Sequence, residues 1–504
     1  MFVLLVAFGG LVALAEDAPS GGLALMDAVR LTLANDPNVA IEAARVDSAR
    51  GALQIASGRF DPVVVSGLTQ TSSKEPRFLS SSQETRTLQS TLGVSQEFRN
   101  GLILEPQLQL DRAQDVTAGS GALNTGTVRF QLRQPLLRGR GRAAVQAEEL
   151  AAEREVVASG FDLRHTVAQR LRVVVAQYWQ VRAAEHNLDV LRVNERSSRD
   201  LLDNTRKLIQ ADQVPAADLV QLEANLAAAE SARIGGERDL FAQRQDLGRE
   251  IGLGPSEIAT LPLPSDPFPS LGPEQVPANT EARGFIELAL RHRSDLEAAR
   301  QRETELDLQR KAAENALKPQ LDLILAPNYS GIAAGGGASD FLSPLYRNVP
   351  GAGALASLAL SWPTRNQRAR GALLQIDAAR RQSALAIDLV AKGIGADVPA
   401  ALDAVGRDAL RLERARAAVR LFERTVGNEE KKLRGGTSTL LDLISQRDRL
   451  IAARQTEVAA ELALALSLLE LRFQTGTLLG EGGMTGEVEV SRLITLPSPR
   501  EGAR

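Results

Sequence analysis

Arg138, Arg140 and Arg142 alternate with Gly139 and Gly141, a run whose spacing would suit a phosphate. The run lacks the Lys-Ser/Thr pair of a P-loop and follows no buried strand, so nucleotide binding is not expected. More simply, these Arg mark a junction between strand and helix. The three histidines, His165, His186 and His292, are isolated on polar helical stretches and build no metal site. Cysteine is absent, which removes disulfides, thiol catalysis, Cys-ligated zinc, iron–sulfur clusters and N-terminal lipidation together. No Ser–His–Asp spacing or paired-carboxylate pocket stands out. What remains is Asp218 and Asp442, each in the first turn of a helix that follows a break. There a carboxylate answers the helix dipole, and Thr439-x-x-Asp442 reads as a capping box. The expectation is charge display without catalysis: no enzyme, no cofactor and no metal.

The elements that position these residues begin with a chain of 504 residues and a net charge of −3. Near-neutral charge gives no support to a general nucleic-acid binder. Aromatic residues are only 4% of the chain, which points to long helices packed through Ala, Leu and Val. Residues 1–15, MFVLLVAFGGLVALA, read as a signal peptide ending at Ala13-Leu14-Ala15. No later window is apolar for the length of a spanning helix, so any membrane insertion must be as a β-barrel.

The chain is duplicated. The segment from Ala28 matches that from Phe285 at an offset of 257, with Leu33 over Leu290, Val39 over Leu296 and Pro62 over Pro319. Gln134 to Ala144 matches Trp362 to Ala372 at 228, and Ala211 to Ala229 matches Gly435 to Ala453 at 224, placing Asp218 over Asp442. The drop of 29 between the first two offsets marks an insertion in the first copy, between Pro62 and Pro135. Between the copies, seven Pro in the 23 residues from Pro255 to Pro277 predict an extended, non-helical connector.

Each copy has the plan helix, strand region, two long helices. In the strand regions Val128, Phe130 and Leu132 interleave with Arg129, Gln131 and Arg133, and Leu358, Leu360 and Trp362 with Ser357, Ala359 and Ser361. One apolar and one polar face suit a barrel wall between lipid and water, or an amphipathic sheet over a soluble core; the period fits both. Arg99-Asn100-Gly101 between two alternating runs predicts a hairpin within the insertion, either two added strands or a flap. Val174, Val181, Leu188, Leu202 and Ile209 sit on multiples of seven, interrupted by Glu195, which indicates coiled-coil packing. In the second copy Gly393, Gly395 and Pro399 predict a kinked or divided helix.

This order resembles the TolC family of outer-membrane efflux proteins across nearly the whole mature chain. The likeness is carried by Leu33-Ala34-Asn35-Asp36-Pro37-Asn38-Val39, Leu290-Arg291-His292-Arg293-Ser294-Asp295-Leu296, Pro62 and Pro319, Leu132-Arg133-Gln134-Pro135-Leu136-Leu137, and the two breaks between long helices. The resemblance implies a mainly α fold with a β-barrel contribution. Duplicated long antiparallel α-helical hairpins would form an α-barrel tunnel, and transmembrane β-strands would form a trimeric barrel shared between protomers. It implies Asp218, Asp442 and Ser445 at a periplasmic pore constriction, Ser445 replacing a second family acid. It also implies adaptor-contacting hairpin tips at Asp212, Gln213, Gly435, Gly436 and Thr437. Arg129, Gln131 and Arg133 would face the barrel lumen. An Arg that helps lock the family's closed entrance falls on Ser438.

The expected organisation is a first repeat over 16–254 (strands 61–135, helical hairpin 143–253), a connector over 255–280 and a second repeat over 281–479 (strands 319–363, hairpin 367–474). Residues 480–504 read as a flexible, solvated tail. The expected function is the passive exit duct of a tripartite efflux or type I secretion system: a homotrimer in outer-membrane lipid with a long periplasmic extension, engaged by a periplasmic adaptor and an inner-membrane pump, with no nucleic acid. The alternative is a periplasmic adaptor or coiled-coil scaffold without a pore.

Overall fold

The structure, a computed structural model, describes residues 22–78, 81–210, 218–277, 281–346, 351–435, 437–480 and 488–498; the expected signal peptide lies outside them. The first copy holds helices α1 (Leu25–Asn35) and α2 (Pro37–Gly58), then strands β1 (Val63–Phe78), β2 (Ser81–Glu97), β3 (Ile103–Asp115) and β4 (Leu123–Pro135). It continues with α3 (Arg142–Val145), α4 (Ala147–Gln210), α5 (Asp218–Ile251) and α6 (Pro255–Thr260). The second copy holds α7 (Ala282–His292), α8 (Ser294–Ala316), β5 (Gln320–Ala334), α9 (Ala338–Leu342), β6 (Ala352–Ser361), α10 (Gln367–Arg434), α11 (Leu440–Gln474) and α12 (Val490–Ile494). The starts of α7 and α8 lie 257 residues after those of α1 and α2, as the sequence register requires.

Two compact units divide these elements. One, residues 45–160 and 298–388, contains the sheet, a six-stranded antiparallel meander in the order β1-β2-β3-β4-β5-β6. The Arg99-Asn100-Gly101 turn joins β2 to β3, which pair from Thr85↔Asp115 to Glu97↔Ile103. The insertion therefore adds strands to the sheet and is not a flap. All four helix-to-strand passages enter or leave one end of the sheet, the helix end; the β1–β2, β3–β4 and β5–β6 connections lie at the far end. Helical segments of this unit are tied by ion pairs Arg302–Glu155 (3.1 Å) and Arg310–Asp377 (2.8 Å).

The other unit, residues 22–44, 161–297 and 389–498 among those described, is built on the hairpins α4–α5 and α10–α11. Val174, Val181, Leu188 and Leu202 are all buried, the seam expected from seven-residue spacing. Glu195, the interruption, is buried too and is held by Arg199 (2.7 Å) and Arg233 (2.5 Å). Leu202 of α4, Leu222 of α5 and Ile444 of α11 form a cluster that packs the two hairpins together.

Three expectations change. Of a kinked or divided helix, division is what changes: α10 runs through Gly393, Gly395 and Pro399 without ending, and burial of Ile394, Val398 and Leu402 offsets the lost backbone hydrogen bond. The Pro-rich connector starts with helix α6, whose Pro255 occupies a first-turn position that needs no N–H donor. The C-terminal stretch is not solvated throughout: Leu493 of α12 is buried, and buried Arg472 donates to the Thr495 and Leu496 carbonyls, both at 2.9 Å.

Candidate channel surfaces and hairpin tips

Strand register sorts the sheet's side chains into two faces, since directly paired residues share a face. The first carries Leu68, Leu88, Leu92, Leu104, Leu108, Leu110, Val128, Phe130, Leu132, Leu321, Leu323, Leu325, Leu358 and Leu360. Arg129, Gln131 and Arg133 lie on the second, with Thr69, Thr87, Gln89, Glu105, Gln107, Gln109, Asp111 and Asp322; Val63, Val65, Ile103, Leu123, Ile324, Ile332 and Leu355 are its apolar members. The polar groups there bond to one another along and across strands: Gln131 Nε2 donates to Glu105 (2.6 Å), Gln109 Nε2 to Asp111 (2.8 Å) and Gln320 Nε2 to Asp322 (2.8 Å). Carboxylates outnumber guanidiniums among these residues, so the polar face is net acidic.

The basic run stands at the helix end, as expected of a junction. Arg138 donates to Gln320, the Gly139 N–H donates to Asn315 Oδ1 at 2.7 Å, and Arg142 opens α3. Arg99 in the β2–β3 turn reaches Glu149 of α4 at 2.6 Å. Every one of these contacts is internal. Of the histidines, His165 lies 2.9 Å from Gln169 and His186 lies 3.9 Å from Glu461. Among the described residues no group of three potential ligands is placed to hold a metal ion.

At the second hairpin tip the cap is present in full. The Asp442 N–H donates to Thr439 Oγ1 (3.2 Å), while the Thr439 N–H (3.2 Å) and Oγ1–H (2.6 Å) donate to Asp442 Oδ2. The Thr439 hydroxyl and its backbone N–H hold the Asp442 carboxyl below the usual range, so it is ionised at neutral pH. Gly435 and Thr437 close α10 through N–H bonds to the Lys431 and Lys432 carbonyls, each 3.0 Å. Ser438 donates to Glu429 at 2.5 Å, and Lys432 lies 3.1 Å from the same carboxylate; the Ser438 and Lys432 contacts lower its pKa. Ser438 therefore makes a link within its own hairpin. Ser445 is half-buried one turn beyond Asp442, behind the buried pair Leu443 and Ile444. At the first tip, Asp212 and Gln213 lie outside the described residues, as does Gly436; Asp218 opens α5. Glu429 escaped sequence reasoning because its Ser438 partner lies across the turn, nine residues on, at no regular spacing.

No family model and no curated protein matches the sequence. Solved structures do. The outer-membrane channel OprN aligns over 90% of this chain and 90% of its own, at 16% identity and a TM-score of 0.63. Outer membrane protein VceC from Vibrio cholerae aligns over 90% and 96%, at 17% identity and a TM-score of 0.63. The CmeC outer membrane channel of Campylobacter jejuni aligns over 90% and 85%, at 14% identity and a TM-score of 0.63. The chain has the fold of outer-membrane channels. That fold is the one the TolC-family resemblance implies, and it covers both copies of the repeat. A pore-less adaptor or coiled-coil scaffold gains no support from these neighbours. Among the described residues no helix is long and apolar enough to cross a membrane.

Proposed function

We propose that this protein is a passive outer-membrane exit duct, a homotrimer that receives its cargo from a periplasmic adaptor and an inner-membrane pump. The observation that carries the reading is the segregation of the sheet into an apolar and a hydrogen-bonded polar face on a channel fold. The apolar face meets lipid, and the polar face, with Arg129, Gln131 and Arg133, lines the lumen. Leu321 to Tyr329 spans nine residues of β5, roughly 30 Å of strand. Tilted by about 40°, that strand gives nearly the 25 Å height of an outward apolar band.

Two features support association with copies of itself. The sheet ends on β1 and β6, and an open edge in a bilayer has no water to satisfy it. Three copies of six strands would close eighteen, and barrels of about 16–18 strands leave an aqueous channel. On α5, Val220, Ile234 and Phe241 lie on multiples of seven and are 71%, 57% and 63% exposed. That is a second seam which no described residue covers. Light scattering in detergent should give a protein mass near three times the 54.0 kDa of one chain.

Asp442, Ser445 and Asp218 are proposed to narrow the periplasmic entrance, with Asp212, Gln213, Gly435, Gly436 and Thr437 offered to the adaptor. Asp442 already serves as a cap, so Asp442→Ala would confound two roles. Asp442→Asn keeps a capping oxygen and removes the charge. In planar bilayers it should raise single-channel conductance or lower cation preference; unchanged currents would leave Asp442 with its capping role alone. Absence of any conductance from wild-type trimers and from tip variants would remove the duct reading.

A further inference from the structure

The connection from β5 to β6 at the far end of the sheet turns back onto the apolar face. Its path is built into the strands. Gly126 of β4 and Gly331 of β5 are register partners, and both present their bare Cα to that face. A Cβ at Gly126 would lie 3.0 Å from Pro344 Cβ and 3.3 Å from Leu345 Cδ2; one at Gly331 would lie 2.0 Å from the Pro344 carbonyl oxygen. The two glycines form a recess, and the 3-10 turn Ser343–Leu345 fills it, burying Ser343 and Leu110. Arg112, on the same face of β3, donates to the Gly336 (3.2 Å) and Gly337 (2.5 Å) carbonyls and stacks 5.1 Å over the Phe341 ring. Asn124 accepts from Arg112 Nε (2.8 Å) and donates to the Gly335 carbonyl (2.9 Å).

The side of this segment turned away from the strands is apolar: Leu342, Leu345 and Tyr346 are 50%, 36% and 69% exposed. It sits where the apolar face ends. Beyond it toward the far end, the same face carries Lys74, Glu84, Arg86, Arg112 and Gln114. At the opposite border stands Trp362, 66% exposed, one residue past Ser361, whose partner is Gln320. From Gln320 to Gly331 is about 36 Å of strand, or about 28 Å of height at a 40° tilt, close to the roughly 30 Å hydrocarbon thickness. An amphipathic aromatic at each border is what the two lipid–water interfaces favour.

We propose that residues 336–346 form a lipid-contacting collar, which places Leu342, Leu345 and Tyr346 at the acyl–headgroup boundary of the outer leaflet and so fixes the depth of the sheet in the bilayer. The proposal rests on the duct reading, because it takes the apolar face as the lipid face. The chain has no cysteine, so Tyr346→Cys, Leu358→Cys and Gln107→Cys each give one site for a nitroxide label. The full-length protein is reconstituted in phosphatidylethanolamine–phosphatidylglycerol vesicles, and collisions with oxygen and with a water-soluble nickel chelate are measured. The Leu358 label should favour oxygen strongly and the Gln107 label should favour nickel. The Tyr346 label should show an oxygen-to-nickel ratio several-fold above that of Gln107 and below that of Leu358. A nickel-accessible Tyr346 label overturns the collar, as does one shielded from both reagents, which would mean a neighbouring protein surface. A nickel-accessible Leu358 label overturns the duct reading and the collar together. Gly126→Val, which fills the recess, should raise nickel access at Tyr346 several-fold; unchanged access with Leu358 still in lipid overturns the recess as its anchor.

Discussion

The two copies of the repeat solve one packing problem with different polar chemistry. At an offset of 224, the seam of α4 (Val174, Val181, Leu188, Glu195, Leu202) falls on Val398, Val405, Leu412, Val419 and Val426 of α10, all buried. Glu195 with its two guanidiniums thus faces the same task as Val419 in an apolar cluster of Val426, Leu443, Leu450 and Ala453. The turns between short helices repeat the contrast. Asp36, between α1 and α2, pairs with Arg170, which also reaches Glu250 at 2.8 Å. The matching position between α7 and α8 is Arg293, bound to Asp295 (2.7 Å) and Gln474 (2.8 Å), while the counterpart of Arg170 is buried Ile394. The backbone is shared: Gly252 and Gly476, with φ of 84° and 70°, each close against the end of the short helix at Asn35 and His292. Geometry is common to both copies, and charge is local.

The largest effect should come from moving a charge into the copy that lacks its partners. Val419→Glu buries a carboxylate among apolar side chains and should cost about 3 kcal/mol or more, read as a lower midpoint of thermal unfolding in detergent. Next is Arg170→Ala. The Asp36 side chain is 1% exposed, so its charge stays buried and unpaired, at a cost of about 3 kcal/mol. The matching change, Arg293→Ala, leaves Asp295, whose side chain is 24% exposed and can draw on water; about 1 kcal/mol is expected. Equal losses at the two turns would show that burial does not set the difference.

The glycines test the shared part. Gly252→Ala and Gly476→Ala each force a left-handed backbone on a residue with a Cβ, at about 1 kcal/mol or more. Gly476→Ala should be the worse of the pair, since its Cβ meets a backbone carbon at 2.7 Å, against a carbonyl oxygen at 3.0 Å for Gly252.

Regular periods made much of the fold legible. The seven-residue seam, the strand alternation and the Asn-Gly hairpin each depend on near neighbours in sequence and appear in the structure, and the 257 and 224 offsets reappear in the short helices and in Gly252 and Gly476. The Thr439–Asp442 cap was legible for the same reason. Features set by distant contacts were not. Nothing near Pro399 announces the burial that carries α10 past it, and the docking of Leu493 depends on Arg472. The recess at Gly126 and Gly331 needs the β4–β5 register before it becomes visible. Only one half of the Glu195 cluster was legible: the carboxylate breaks the heptad, but Arg233 is on the next helix.

Glu195→Val, which gives the first copy the second copy's residue, should change stability by less than about 1 kcal/mol. Arg199 retains Glu230 at 2.9 Å and Arg233 retains Glu237 at 2.6 Å. A loss as large as that of Val419→Glu would mean the cluster determines how α4 packs and does not merely fill its seam.

The finest distinction is in pH. Only the second copy's turn has a histidine beside it. Burial lowers the His165 pKa, with Asp295 and Asp162 opposing and Arg293 assisting. A base with a lowered folded pKa binds fewer protons than the unfolded chain. Its contribution is therefore complete above the unfolded value of about 6.5 and is lost as pH falls toward the folded value. Burial raises the Asp295 pKa, but Arg293 and His165 bring it net below its ordinary value, so its contribution is present above about 3.9 and is lost on further acidification. The unfolding midpoint should thus fall in two steps as pH drops, one beginning near 6.5 and one below about 4. His165→Gln should remove the first step and leave the second. A first step that survives this change would show that burial of His165 does not set it.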